Sequence, residues 1–396
     1  MDSTIVKGFN LNEEKQKWSN LVQEMPTSEN ETGRITIIGS GIKSIGHLTL
    51  EAVGFMKSCD KVFYLVADPA TEVYIKEMRP DAMDLYAMYD DGKDRYETYV
   101  QISEVILQEA RKGVHVAAVF YGHAGVFCLP PHRILQIAKR ERIAAKMLAA
   151  PSAEDCLFAD LEIDPAFPGC QSFEATDMLL RKRKLFTDIH TVLWQVGCVG
   201  KTDFQYQGFG NEKLHVLIDF LQDIYGRDYE IVHYIGSQYA VCDPVIEKFK
   251  LSEFKMKKVQ EKIKSISTFY IPPKDVSSVD ENMLKELGFH QEEISRGFKK
   301  AFKDISSYGA TEKKALAALK DWRFPINYSF VEPTNMSRKL VQLCLNPAEE
   351  KMSNLTEDEQ KVVRNGDSGA IRRMLKPHGE MVAGDVVVVA VVIIMA

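Results

Sequence analysis

Four tyrosines and one arginine fall within fourteen residues, at Tyr86, Tyr89, Arg95, Tyr96 and Tyr99. A phenol titrates near about 10 and is a weak base at neutral pH, but a guanidinium beside it stabilises the phenolate and lowers that value. Such a cluster suits proton abstraction from a poor acid. The same residues also fit a solvent-facing turn centred on Asp91-Gly92 whose rings merely pack. Two glycine turns accompany the cluster: Gly39-Ser-Gly41-Ile-Lys-Ser-Ile-Gly46, and Tyr121-Gly-His-Ala-Gly125 with Val126 and Phe127 after it. A strand, a glycine turn and a helix suit an anionic or nucleotide-like ligand. A tight turn that needs positive φ explains the same glycines. Ser44 stands where a dinucleotide fingerprint has its third glycine, so NAD binding loses its central support. His123 follows a strand's carboxyl end, where open α/β sheets bind ligands, although an isolated histidine is often structural.

A different kind of stretch closes the chain, Val386-Val-Val-Val-Ala-Val-Val-Ile-Ile-Met-Ala396. Dense β-branching favours extended backbone. The run is uncharged and falls short of the roughly 20 apolar residues a bilayer-spanning helix needs. It reads as a buried terminal strand, as an exposed edge, or as an extended segment held in a site because chemistry is done on it.

The elements that must position these residues alternate. Strands are expected at Arg34–Ile38, Lys61–Val66, Val114–Phe120, Lys146–Leu148, Thr191–Gly197, Glu230–Gly236 and Ser267–Ile271. Helices are expected from Gly46 towards Met56, through Lys76, over Gln101–Lys112 and over Asn211–Gly226, with Cys156–Cys170 a less regular connection. This predicts an α/β protein of two lobes, 34–150 and 151–274, with a cleft between them. Residues 1–33 read as a polar arm and 275–376 as a charged helical clasp carrying a capping box, Thr356-x-x-Glu359. Residues 377–396 read as a linker and the apolar tail.

Hydrophobic content of 45% and charged content of 27% are those of an ordinary soluble protein of 396 residues. A formal net charge of −6, with Arg181-Lys-Arg-Lys184 as the densest basic run, makes nucleic acid an unsuitable partner. The N-terminus lacks a signal peptide's basic and apolar regions, and seven cysteines without CxxC spacing argue against a disulfide framework or a structural zinc site. A cytoplasmic, reduced protein with no metal and no membrane partner is expected.

The glycine turns, with Pro151-Ser-Ala-Glu-Asp155 and Gln195-Val-Gly197 in this order, resemble the tetrapyrrole-methylase class (class III) of S-adenosylmethionine-dependent methyltransferases. More closely, Val119–Phe127, Ser152–Asp160 and Ser267–Lys274 resemble the fungal borosin precursors of omphalotin type, autocatalytic peptide backbone α-N-methyltransferases that carry their substrate peptide. The likeness covers about residues 34–274, and the helical segment with Gly366–Ile371 follows it more weakly. The family pattern has proline where this chain has Ala124, and its tail usually continues past the modified stretch, whereas this chain stops at Ala396.

The resemblance implies a two-lobed tetrapyrrole-methylase-like fold with a C-terminal helical clasp, and an interlocked homodimer in which each subunit methylates its partner's tail. It assigns Tyr86, Tyr89, Arg95 and Tyr99 to catalysis, with Tyr89 or Tyr99 as base and Arg95 with Tyr86 polarising the amide. It assigns Tyr121, His123, Val126, Phe127, Ser152, Ala153, Gln195, Gly236, Ser267 and Thr268 to S-adenosylmethionine, with S-adenosylhomocysteine as product. Val386–Ile394 would be the acceptor residues of an N-methylated, ribosomally synthesised peptide. Two other readings differ in kind: a methyltransferase acting on a separate small molecule or tetrapyrrole, and a non-enzymatic scaffold that assembles by strand addition through the tail.

Overall fold

Val116-Ala-Ala-Val-Phe120 is wholly inaccessible to solvent, as a strand buried on both faces of a parallel sheet must be. The structure, a computed structural model, describes residues 33–205, 209–289, 309–319, 338–339, 341–342 and 354–365. The arm at 1–32, the tail at 386–396 and most of the expected clasp lie outside them. The first sheet comprises β1 (Arg34–Gly39), β2 (Lys61–Leu65), β3 (Met83–Asp84), β4 (His115–Phe120) and β5 (Ala144–Met147). Its order is β3-β2-β4-β1-β5 and every pairing is parallel. From β1 the chain crosses to β2 on one side, and from β4 it crosses to β5 on the other. The reversal of strand order between β1 and β4 opens a crevice beyond their carboxyl ends.

Helices α1 (Leu50–Ser58), α2 (Pro69–Met78), α3 (Arg95–Arg111) and α4 (Leu129–Arg140) connect these strands. Ile102, Val105 and Ile106 of α3 pack with Ile134 and Ile137 of α4 against Ile35, Ile37 and Phe120. Each such side chain contributes about 1.5–3 kcal/mol by leaving water. Helix α3 begins six residues before the expected Gln101, because Asp94 caps it by accepting from the Tyr96 and Glu97 amides at 2.8 and 3.3 Å.

The second sheet is mixed, with order β6-β7-β10-β8-β9. It contains β6 (Cys170–Glu174), β7 (His190–Trp194), β8 (Glu230–Ile235), β9 (Val245–Lys250) and β10 (Thr268–Ile271). Only β6 and β7 pair in parallel. Helix α5 (Ala153–Asp160) occupies the start of the stretch expected to be irregular, and it sets Leu157 against Val192, Trp194 and Tyr234. Helices α6 (Ala175–Leu180) and α7 (Leu214–Tyr225) cover the other face, where Leu217 and Leu221 meet Phe269 and Ile271. A division into two compact units falls between Val276 and Ser277. Beyond it, described helices run over Glu281–Glu286, Ala310–Leu319 and Glu357–Asn365. The last has the expected capping box: the Thr356 amide donates to Glu359 at 2.8 Å and the Glu359 amide to Thr356 Oγ1 at 3.3 Å.

Candidate active site

The crevice between β1 and β4 is closed at its base by backbone. Gly41 and Gly122 exchange N–H···O bonds of 3.1 Å each, and both sit at positive φ, +71° and +69°. A side chain on either would be strained. The turn after β1 offers no row of amides to an anion. The Ile42 and Lys43 amides both donate to His47 Nδ1 at 3.2 Å, the Ser44 amide to the Gln238 carbonyl at 2.7 Å, and the Ile45 amide to Thr71 Oγ1 at 3.2 Å. Burial, and secondarily Lys43, lowers the His47 pKa, which suits an acceptor nitrogen. For the turn after β1, the tight turn is therefore the role the structure supports.

Above this base lies a cavity of about 330 Å³. The loop after β4 contributes Tyr121, His123, Val126 and Phe127, and the start of α5 contributes Ser152 and Ala153. The end of β7 contributes Gln195, the end of β8 Gly236, and the approach to β10 Ser267 and Thr268. All ten residues assigned to the cofactor by resemblance thus line one cavity, and Tyr89 and Tyr99 line it too. Tyr86 and Arg95 do not.

Two wall residues without the freedom of glycine, Phe127 (φ +50°) and Gln195 (φ +56°), occupy the left-handed region, at about 1–2 kcal/mol each. Strain of this kind concentrates where a site requires it. Ser152 has a structural duty as well: its Oγ accepts from the Glu154 and Asp155 amides, and its own N–H and O–H donate to Asp155 at 2.6 and 2.8 Å. Burial raises the Tyr121 phenol, while a hydrogen bond with Gln238 opposes the rise.

Gly197, two residues after the wall residue Gln195, permits a close backbone approach. A Cβ there would overlap the Lys264 carbonyl and lie 3.1 Å from the Ser265 nitrogen. The turn after β7 and the loop before β10 can meet only if residue 197 lacks a side chain. Gly197→Ala is expected to destabilise the fold by about 1–3 kcal/mol, the usual range for overpacking. It should also weaken S-adenosylhomocysteine binding, both readable by thermal melting with and without that ligand.

The tyrosine and arginine cluster is held by a strap from the second sheet's half. Gly92 N–H donates to the Phe204 carbonyl at 2.8 Å, Phe204 N–H to Lys93 at 2.9 Å, and Arg95 N–H to Thr202 at 3.0 Å. Lys201–Phe204 therefore lies antiparallel beside residues 92–95. The Phe204 ring is 4.7 Å from Tyr89 and 6.0 Å from Tyr86, and these two tyrosines are 5.5 Å apart. Tyr99 shares Arg95's face of α3, one turn on, while Tyr96 is 61% exposed.

The Arg95 guanidinium donates to the Lys201 carbonyl, and through Nε to Thr202 at 3.3 Å. It depresses both Tyr89 and Tyr99, as the sequence leads one to expect, but burial dominates and leaves both phenols above their ordinary value. The expected net lowering is thus corrected: in a half-buried site desolvation of the phenolate outweighs one cation. Burial likewise pushes the Cys128 thiol up to about 12, so it stays protonated beside them.

The structure adds Trp194, Tyr234 and Gln238 to the wall and Phe204 to the cluster. Trp194 and Gln238 adjoin predicted positions in sequence. Phe204 carries no such signal, because its pairing spans more than a hundred residues. Among the described residues no group of His, Cys, Asp or Glu is arranged to hold a metal, and no helix is long and apolar enough to cross a membrane.

Residues 34–237 match the family model of Tetrapyrrole (Corrin/Porphyrin) Methylases. The chain is similar to the methyltransferase/ribosomally synthesized cyclic peptide lentinulin A precursor of Lentinula edodes, at 40% identity covering 89% of this chain and 90% of that one. It is similar to the corresponding omphalotin A precursor of Omphalotus olearius, at 39% identity over 88% and 89%. A type III borosin cyclic peptide precursor of Anomoporia bombycina is 39% identical over 89% of this chain, which spans 44% of that longer protein. A solved uroporphyrin-III-C-methyltransferase from Thermus thermophilus has 13% identity and a TM-score of 0.43, covering 61% of this chain and 92% of that one.

Proposed function

The chain belongs to the tetrapyrrole methylases and, within them, to the methyltransferase/cyclic peptide precursors of borosin and omphalotin type, and from that premise we propose that it N-methylates backbone amides of its own C-terminal peptide. The observation that carries this is the opening of Tyr89 and Tyr99 onto the same cavity as the ten residues assigned to the methyl donor. The wall suits S-adenosylmethionine: Phe127 and Trp194, 5.4 Å apart, offer aromatic surface, while Gln195, Ser267 and Thr268 offer hydrogen-bonding groups. When bound, that molecule supplies a methyl group on a sulfonium, an electrophile that needs no metal.

The demand on the protein comes from the acceptor. An amide nitrogen shares its lone pair with the carbonyl and is a poor nucleophile. Tyr89 or Tyr99 removes the amide proton, and Arg95 with Tyr86 steadies the charge that develops on the carbonyl oxygen. Val386–Ile394 then serves as acceptor, its β-branched residues biased towards the extended form in which successive amides can advance. A neighbouring subunit's cleft is easier for a tail to enter than its own, so the active form is a homodimer working in a reducing compartment.

Expression in cells followed by mass measurement of the C-terminal proteolytic peptide tests this. A ladder of single-methyl additions, located by fragmentation to amides between Val386 and Ile394, is expected. An unmodified tail on protein that binds S-adenosylmethionine would remove the tail as substrate. Mixing a chain truncated before Val386 with an Arg95→Ala chain that keeps its tail tests exchange between subunits: methylation should reappear in the mixture alone.

A further inference from the structure

Ser265, Ile266 and Ser267 line one side of the cavity, and Ser267 is bonded to a histidine that the chemistry above does not use. His233, on β8, is 1% exposed. Its Nε2 is 2.7 Å from Ser267 Oγ and its Nδ1 is 3.2 Å from Glu247 Oε2 on β9. Ser267 Oγ also accepts from the Lys264 amide at 2.8 Å. Glu247 is in turn paired with Lys262. The rings of Phe249 and Phe269 lie 6.5 Å from the imidazole, and the charged groups that act on it are Glu247 and Lys262.

Proton bookkeeping fixes the direction of each bond. Glu247 is paired with Lys262 and held below the usual carboxylate range, chiefly by that lysine, so it only accepts. Nδ1 must therefore carry the hydrogen. In the neutral ring Nε2 then has only a lone pair, and Ser267 must donate its single proton to it. With one Oγ lone pair taken by the Lys264 amide, what Ser267 has left for the cavity is an acceptor. In the imidazolium, Nε2 donates to Ser267 instead, both lone pairs are used, and the hydroxyl proton is released towards the cavity as a donor.

Resting on the assignment of this cavity to S-adenosylmethionine, we propose that His233 is a positioning residue that sets Ser267 as a hydrogen-bond acceptor for a donor group of the cofactor, an amine, ammonium or ribose hydroxyl, and that protonation of His233 reverses this polarity. Burial lowers the histidine's pKa, with Glu247 opposing, so the neutral ring prevails at neutral pH. Acidification brings the reversed state.

The test is calorimetric titration of the full chain with S-adenosylhomocysteine from pH 8 down to the lowest pH at which the fold is retained by circular dichroism. The wild type should weaken on acidification. His233→Gln can turn its amide oxygen to Ser267 and its NH2 to Glu247 but cannot take up a proton, so it should bind as the wild type does at pH 8 and lose most of the acid weakening. His233→Leu should weaken binding about three- to tenfold at pH 8, the worth of one hydrogen bond, and adding Ser267→Ala to it should cost little more. Should the leucine variant fail to fold, the glutamine profile alone decides. An acid response in His233→Gln equal to the wild type's, or a leucine variant with unchanged affinity, overturns the inference and leaves the function standing. A wild type that does not bind S-adenosylhomocysteine at any pH overturns both.

Discussion

Arg95→Ala is expected to lower tail methylation by roughly a hundredfold or more, the usual cost of removing a group that stabilises developing charge, while S-adenosylhomocysteine affinity stays within about threefold, a shift below one hydrogen bond's worth. The asymmetry follows from position. Arg95 is absent from the cavity wall, yet it acts on both phenols that open into it, opposing the burial that raises them. Its loss would raise Tyr89 and Tyr99 further by removing the cation that lowers both. It would also cut the side-chain tie to the Lys201 and Thr202 carbonyls. Arg95→Lys separates the two contributions, since an ammonium keeps the charge but cannot span both carbonyls as a planar fork does. The lysine variant should retain intermediate activity if charge matters most. The measurement is the methylation state of the C-terminal peptide at a fixed time, beside calorimetry. A fully methylated tail in Arg95→Ala would remove the arginine from catalysis.

What the sequence discloses and what it hides differ by the range of the contacts involved. The strands over 34–39 and 115–120 are legible because burial on both faces makes them mostly apolar and β-branched, interrupted only by Arg34, Thr36 and His115, and the glycine turns after them are legible because φ near +70° at Gly41 and Gly122 excludes most other residues. Local caps are legible in principle: Asp94 before α3 and Ser152 before α5 both sit two or three residues from the amides they receive. The beginning of α3 is nevertheless misplaced at Gln101, since Tyr96 and Tyr99 have no strong helix preference and the acidic turn before them looks like loop. Helix α4 is obscured by Pro130 and Pro131, which are tolerated in its first turn because those amides need no partner. The strap at 201–204 and the buried His233 relay are not legible. Each is defined by partners 14 or more residues away, and nothing local marks Phe204 or Glu247 for its role.

The second large effect concerns the proton. Tyr89→Phe and Tyr99→Phe are expected to differ, with the variant lacking the base losing about 10²–10⁴ in methylation rate, the range for general base catalysis. The other variant should lose much less, as a wall residue. Both phenols lie above the ordinary tyrosine value because burial disfavours their charged forms. At neutral pH only a small fraction of either is ionised, and that fraction grows about tenfold per pH unit until the raised pKa is reached. The wild-type rate should therefore climb with pH from 7 to 9 with a slope near one on logarithmic axes, and should show no plateau in that window. A base of ordinary or lowered pKa would begin to level off earlier. Loss of the slope in one phenylalanine variant names that residue as base, and Arg95→Lys with both tyrosines intact should leave the slope in place while shifting the curve. A slope unchanged in both Tyr89→Phe and Tyr99→Phe would take the phenols out of proton transfer and leave them as walls around the amide.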